Sequence, residues 1–315
     1  MEYVTLGRTG LRVSVAGLGA GGFSRLGLGT GKTRSEAVSL VRLALDLGVN
    51  LIDTAAVYGT EPIISEAIES LPRDAVVLAT KALIHRGADR FAPERIVASL
   101  DHSLRQLGTD YVDIFQLHAI SPEAYAHARD IIAPALLTEQ AKGKLRYLGI
   151  TETPPNDPEH RMLQLALEDD IWDIAMVGFH MMHLSARTAV FPQTTARRVG
   201  TLIMFAVRNI FSRPERLRSE LVRLAAAGLI PQSLADQPDP LGFLVHEGGG
   251  ISIPDAAYRF VRHQPGVDVV LFGTGDPEHL RSNIASILAP PLPAIDNLKI
   301  AELFAHLVGV GLDRP

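Results

Sequence analysis

Residues 49–59 read Val49-Asn50-Leu51-Ile52-Asp53-Thr54-Ala55-Ala56-Val57-Tyr58-Gly59. A short apolar run ends on a carboxylate, and the loop after it carries a phenol and a glycine. The design recurs downstream: Ala75–Thr80 ends on Lys81, and Tyr111–Leu117 ends on His118. Runs this short, bounded by turn residues, read as buried strands. Helical stretches separate them. Arg34–Leu47 has an apolar stripe through Val38, Val41 and Leu45 and stops at Gly48. Glu61–Leu71 is ended by Pro72, and Glu94–Leu107 is entered through Pro93 and closed by Gly108, the usual asymmetry of helix ends.

The alternation continues with helix 123–142, strand 145–150, helix 158–168, strand 172–177, helix 185–199 and strand 201–206. Helix 254–263, strand 267–272 and helix 277–288 end it. Counting Val15–Leu18 first and Leu51–Ile52 and Val76–Ala79 next, there are eight strands. Alternating β and α segments predict a parallel sheet, and eight repeats predict closure into an α/β (β/α)8 TIM barrel. A doubly wound sheet is the alternative. No composition shift divides the chain, so residues 1–315 are expected to form one domain. Three segments lie outside the repeat. Tyr3–Leu6 and Leu11–Ser14 flank Gly7-Arg8-Thr9-Gly10 and read as an N-terminal β-hairpin. Pro214–Gly228 is an extra helix after the seventh strand, followed by the Pro-rich loop Pro231–Pro240. Ile295–Val308 is a C-terminal helix. The insertion 207–253 and the tail are where substrate selection is expected.

Composition excludes several classes of function. Hydrophobic residues make up 47% and charged residues 21% of the chain, as in a protein with a sizeable core. A net charge of −5 gives no reason to expect nucleic acid. No apolar run approaches a membrane span, and Met1–Leu6 has neither the basic flank nor the apolar stretch of a secretory signal. A soluble, cytoplasmic protein is the expectation. Cysteine is absent, so any metal site would rest on His and carboxylates.

In a parallel barrel the strand ends converge on one rim, where catalytic groups gather. Asp53, Tyr58, Lys81 and His118 would meet there. A phenol with a pKa of about 10 is a poor acid at neutral pH. A neighbouring ammonium lowers that value, and a carboxylate holds the ammonium in place. Tyr58 would then donate a proton to a carbonyl oxygen, tuned by Lys81, which Asp53 anchors, with a neutral His118 completing the pocket. The hydride has to come from a cofactor, because no side chain supplies one.

At these residues the chain resembles the aldo-keto reductase family. Leu51–Gly59 is similar to the family's signature around its aspartate and tyrosine. Thr80-Lys81 and Gln116-Leu117-His118 match its lysine and histidine. Tyr3–Ser14 is similar to its opening hairpin, and Leu145–Ile150 and Phe272–Leu280 fit later blocks. The resemblance covers nearly the whole chain. It implies an NAD(P)H-dependent reductase of a small-molecule carbonyl (aldehyde, ketone or sugar), or the reverse dehydrogenase, with no metal. The cofactor, NADP or NAD with a leaning to NADP, would lie extended across the rim. The resemblance assigns it Ala20, Gly21 and Asp53 near the first two strands. Thr151, Glu152 and Met176 follow on the fifth and sixth, and Phe205 and Arg208 after the seventh. Gly273, Thr274, Gly275, His279 and Asn283 belong to the last block.

The chain departs from the family pattern at the nicotinamide amide. Thr151-Glu152 stand where relatives carry Ser-Asn, and Met176 where they carry Gln. An ionised Glu accepts hydrogen bonds but donates none. Gly273 and His279 stand where NADPH-preferring relatives place a Lys and an Arg. Of the other sequence features, Leu26–Thr33 lacks the leading glycine of a P-loop and reads as a loop able to cover the site. His180 and His183 lack carboxylates at ligand spacing and read as pocket wall or packing. Gly248–Gly250 reads as a mobile linker. Phe23, Phe179, Phe205 and Phe211 would give the substrate an apolar wall. Two other functions stay open. One is a non-catalytic cofactor-binding regulatory subunit, to which the altered amide anchors point. The other is a Schiff-base lyase using Lys81, which needs that lysine neutral.

Overall fold

Two-residue periodicity decides which side chains meet at the centre of this protein, a computed structural model of which describes residues 1–312. The chain opens with a hairpin, β1 (Tyr3–Thr5) and β2 (Arg12–Ser14). Barrel strands β3 (Ala16–Gly19), β4 (Leu51–Asp53) and β5 (Val77–Leu83) follow. A second small hairpin, β6 (His85–Arg86) and β7 (Asp89–Arg90), interrupts them. The barrel then resumes with β8 (Val112–Ile120), β9 (Leu145–Glu152), β10 (Ile174–Gly178), β11 (Gly200–Met204) and β12 (Val269–Phe272). The eight strands close into one barrel, every neighbouring pair parallel, with β12 returning to β3. This is the expected (β/α)8 architecture with its N-terminal hairpin.

Alternate residues of each strand face the axis. Leu51, Val77, Ala79, Ile114, Ile174, Met176, Leu202 and Val269 do so and pack with Leu6, Leu11 and Val13 of the hairpin, which plugs the N-terminal end. Residues of the opposite parity, among them Ile52, Leu78, Phe115, Leu148, Ile150, Val177 and Ile203, join the larger core under the helices. One step further along the axial face come Asp53, Lys81 and Gln116. The same alternation that fills the barrel floor with aliphatic groups therefore lifts polar groups to its C-terminal rim.

Helix ends follow local chemistry. Thr33 and Glu36 form a reciprocal capping box on Arg34–Asp46, and Gly108, at φ 65, closes Pro93–Leu107 with two backbone hydrogen bonds. Several elements differ from the sequence reading, each for a local reason. The stretch 123–142 is Pro122–His127, a wide five-residue turn Ala128–Ile132, then Ala133–Ala141; Pro134 supplies no N–H to an ordinary ladder. The stretch 185–199 breaks at Val190 ahead of Pro192 into Ala186–Ala189 and Phe191–Arg197. Helix 158–168 shrinks to Arg161–Ala166, its first N–H groups donating to the Asp157 carboxylate. The extra helix is Pro214–Ala226 and the C-terminal one Ala294–Phe304. Short helices Asn209–Ser212 and Gln232–Ala235, the latter inside the Pro-rich loop, add to them. No helix among the described residues is long and apolar enough to cross a membrane.

The hairpin plug depends on one glycine. Gly7 sits at φ +51, and a Cβ there would lie 2.2 Å from the Gly200 nitrogen on β11. The Arg198 carbonyl oxygen, at 2.6 Å, is the next nearest atom, and both are backbone rather than flexible side chain. Gly7→Ala should therefore cost roughly 2 kcal/mol or more of stability, read as a lower urea midpoint. An unchanged midpoint contradicts the plug's assigned fit.

Candidate active site

The rim is organised around Lys81, which is 1% exposed. Its Nζ donates to both Asp53 oxygens at 2.6 and 2.7 Å and to the Thr54 carbonyl at 2.8 Å. An ammonium has three donors, and all three are used. The Gln116 amide adds a hydrogen bond to Asp53 Oδ1 at 3.1 Å. Burial pushes the Asp53 carboxyl up and the Lys81 ammonium down, and the bidentate contact opposes both. The donor count is that of a charged pair.

Tyr58 hangs over this pair from the loop after β4. Ala56–Tyr58 form one tight turn, and Gly59 at φ 70 reverses the chain into Glu61–Ile68. The phenol ring lies against Gly21, where a Cβ would approach Tyr58 Cε2 to 2.4 Å. Its hydroxyl is 3.4 Å from His118 Nε2, the rings meeting edge to face at 5.6 Å between centroids. Lys81 Nζ lies 5.4 Å from the Tyr58 ring centroid. The structure thus brings Asp53, Tyr58, Lys81 and His118 together.

The charges tune these groups in a direction the sequence reading did not anticipate. Burial first, then the Asp53 charge, push the Tyr58 phenol above its ordinary value. Lys81 was expected to lower it, but its donors are committed to Asp53 and Thr54. Tyr58 is therefore a fully protonated phenol at neutral pH. Burial, with the Lys81 charge second, pulls His118 down to about 3, so the imidazole beside the phenol is neutral. His118 Nδ1 and Gln116 Oε1 are buried without a hydrogen-bond partner among the described residues. The arrangement holds a neutral phenol and a neutral imidazole beside a fixed ion pair. That combination can polarise and protonate an oxygen placed between the two rings.

The residues assigned to the cofactor divide into two groups. Gly21, Gly273 and Gly275 lie at the adjoining ends of β3 and β12, and a Cβ on Gly273 would meet the carbonyl of the neighbouring Gly19 at 3.2 Å. Gly275 also meets Gly27 backbone to backbone, where a Cβ would come within 2.4 Å of the Gly27 Cα. The Leu26–Thr33 loop thus folds against the last block as a short helical turn, Arg25–Thr30, with Leu26 buried. Glycine at these positions lets the backbones of β3, β12 and the Leu26–Thr33 loop, and the Tyr58 ring, approach one another closely. Phe205, at φ 73 and half-buried, carries the Arg208 guanidinium over its ring at 4.0 Å, while Ala206 is buried. Thr274 receives the Asp276 N–H at 3.1 Å; His279 is exposed and Asn283 half-buried. Ala20 is buried, its N–H on the Asp53 carbonyl.

In the second group, Glu152 turns away from the barrel axis, while Met176 and Thr151 face it. Glu152 has the outward parity of Leu148 and Ile150. It lies buried under the helices, bonded to His160 Nδ1 at 2.8 Å and to the Gly178 N–H at 2.7 Å. Met176 belongs to the apolar barrel interior. Thr151 keeps axial parity, but its Oγ1 already accepts the Ala119 N–H at 2.7 Å. Parity counted from Leu148 was the sequence signal for Glu152. Parity between Ile114 and His118 likewise marks Gln116 as an axial residue, the one that holds Asp53.

The histidines resolve as packing. His160, His180 and His183 are fully buried, His160 and His183 with ring centroids 5.0 Å apart. Of the expected aromatic wall, Phe179 and Phe211 are core residues, Phe179 stacking with Phe260 and Phe211 meeting His180. Phe23 is exposed. Among the described residues, no group of three or more His, Asp or Glu is arranged to hold a metal.

A model of the aldo/keto reductase family matches residues 17–304. The chain belongs to the aldo/keto reductase family. Over 303 residues it is 26% identical to aldo-keto reductase YhdN of Bacillus subtilis, covering 90% of this chain and 87% of that one. It is 37% identical to L-galactose dehydrogenase of Arabidopsis thaliana over 160 residues, so the match spans about half the length of each, 49%. Among solved structures, aldo-keto reductase AKR11C1 from Bacillus halodurans, in its holo form, superposes with a TM-score of 0.73 at 24% identity over 98% of both chains. The thermostable aldo-keto reductase Tm1743 gives a TM-score of 0.70 at 21% identity, over 96% of this chain and 99% of that one. The two structural matches establish the fold.

The depressed His118 can be checked directly. Its imidazole NMR signals should stay those of the neutral ring from about pH 8 down to about pH 5. A titration midpoint near the ordinary histidine value contradicts the burial and charge assigned to it.

Proposed function

We propose that this aldo/keto reductase family member is an NAD(P)H-dependent oxidoreductase that interconverts a carbonyl and an alcohol. The observation that carries this reading is the Tyr58 hydroxyl set 3.4 Å from the neutral His118 above the bidentate Asp53–Lys81 pair. Tyr58 is the general acid in reduction and, as phenolate, the base in oxidation. His118 orients the substrate oxygen towards it. Lys81 supplies a fixed positive charge under the oxygen that becomes negative, and Asp53 with Gln116 keeps that charge from moving. When bound, the nicotinamide supplies or accepts the hydride. Since Lys81 is charged and fully hydrogen-bonded, it does not favour the Schiff-base alternative, which requires a free amine.

For the substrate, the half-length similarity to L-galactose dehydrogenase makes sugars the first class to test. Similarity to methylglyoxal reductase DkgB of Salmonella typhi, 33% over 128 residues, makes small aldehydes the second. For the cofactor, Arg208 is the one permanent cation among the assigned contacts and supports NADP. The turn opening Pro277–Leu288 does not add to that. Pro277 has no N–H, those of Glu278 and His279 both donate to the Asp276 carboxylate, and that of Leu280 donates to the Asp276 carbonyl. Fluorescence titration with NADPH and NADH decides between them. Tighter NADPH keeps the phosphate contact with Arg208, and tighter NADH assigns the Asp276-capped turn to an unphosphorylated ribose. Binding of neither overturns the enzymatic reading.

The assigned proton donor has two tests. Tyr58→Phe should lower carbonyl reduction by roughly a hundredfold or more while sparing cofactor affinity; near-normal turnover contradicts the role. Because the phenol's pKa is raised, reduction, which needs the protonated form, should hold its rate from about pH 6 to about pH 9. Alcohol oxidation, which needs the phenolate, should keep rising across the same range. An oxidation rate that levels off near neutrality contradicts the raised value.

A further inference from the structure

His118 is the last axial residue of β8, and the strand does not run past it in register. Leu117 pairs with Ile150 on β9, but Ile120 pairs with Glu152, so β8 takes three steps where β9 takes two. The extra residue makes a β-bulge, a feature that re-aims side chains beside active sites. Ala119 carries it at φ 56, in the left-handed region that residues with a Cβ rarely adopt. Burial shows the effect of the bulge. Strict alternation from Gln116 and His118 would turn Ile120 to the axis, yet Ile120 is fully buried in the outer core under the helices.

A bulge takes one N–H out of the strand ladder, and a buried N–H needs another partner. Here the donor is the Ala119 N–H, and it meets Thr151 Oγ1 at 2.7 Å. Thr151 stands on the axial face of β9, two positions beyond Gly149, where a Cβ would press on the Gln116 side chain at 2.9 Å. It is 2% exposed. We infer that Thr151 is a positioning residue for His118: its hydroxyl holds the Ala119 bulge, and the bulge sets the imidazole against the Tyr58 hydroxyl. The inference rests on the proposed proton-transfer pair of Tyr58 and His118. It differs from the cofactor-amide role that the family resemblance assigned to this position, and the two roles predict different defects.

The test compares Thr151→Val, which keeps the shape and loses the hydroxyl, with Thr151→Ser, which keeps the hydroxyl. The readouts are the His118 imidazole NMR signals of cofactor-free protein, the NADPH and NADH dissociation constants, and carbonyl turnover. Thr151→Val should shift the His118 signals and lower kcat by about tenfold or more with unchanged dissociation constants, and Thr151→Ser should restore both. Wild-type His118 signals in Thr151→Val overturn the inference. So does a variant whose single defect is weaker cofactor binding, which returns Thr151 to the cofactor amide. If Thr151→Val does not fold, Thr151→Ala removes the same hydroxyl without added bulk and is read the same way. Should the wild-type protein reduce no carbonyl, the functional proposal fails, while the NMR comparison still decides the role of Thr151.

Discussion

The site depends on one buried ion pair. Lys81 and Asp53 are almost without solvent contact, and neither would remain charged there alone. Removing one partner of such a pair typically costs about 3–5 kcal/mol, because the other is stranded. The pair survives because every donor on Lys81 has an acceptor and because Gln116 holds one Asp53 oxygen. The rest of the rim is arranged around this fixed charge. Tyr58 is laid over it through a glycine-backed loop, and His118 is kept neutral beside it.

The barrel delivers that pair by simple geometry. Leu51 and Asp53 are two residues apart on β4, and the parallel register sets Asp53 beside Ala79 on β5, so Lys81 stands one pleat further along the same face and its long side chain reaches the Asp53 carboxylate. The hairpin seals the opposite end with aliphatic side chains. Stability is thus placed at the floor of the barrel and chemistry at its rim, on the same strand faces.

Much of this was legible in the sequence, because strands and helices announce themselves by length, period and punctuation. Gly48 and Gly108 mark helix ends, and four polar residues end or follow apolar runs. The breaks at Val190 and Ala128–Ile132 were hidden because a helical stripe persists across them, with Pro192 and Pro134 as the local warnings. Matching positions to a family pattern misplaced Glu152. An alignment carries residue order but not strand parity, and the outward parity of Glu152 makes it a clasp between β9, β10 and His160. The bulge at Ala119 could not be read either. No glycine marks its positive φ, and its support comes from Thr151, 32 residues away.

The most direct test of the ion pair as the base of the site is a single-turnover stopped-flow measurement of NAD(P)H oxidation by an aldehyde or sugar substrate. It compares wild type with the double variant Asp53→Asn, Lys81→Met. Neutralising both partners leaves no buried charge alone, so the barrel should stay folded. The account predicts that the transfer step slows by roughly a hundredfold or more while cofactor still binds. Transfer at the wild-type rate would contradict it, leaving Tyr58 and His118 to act without the charge beneath them.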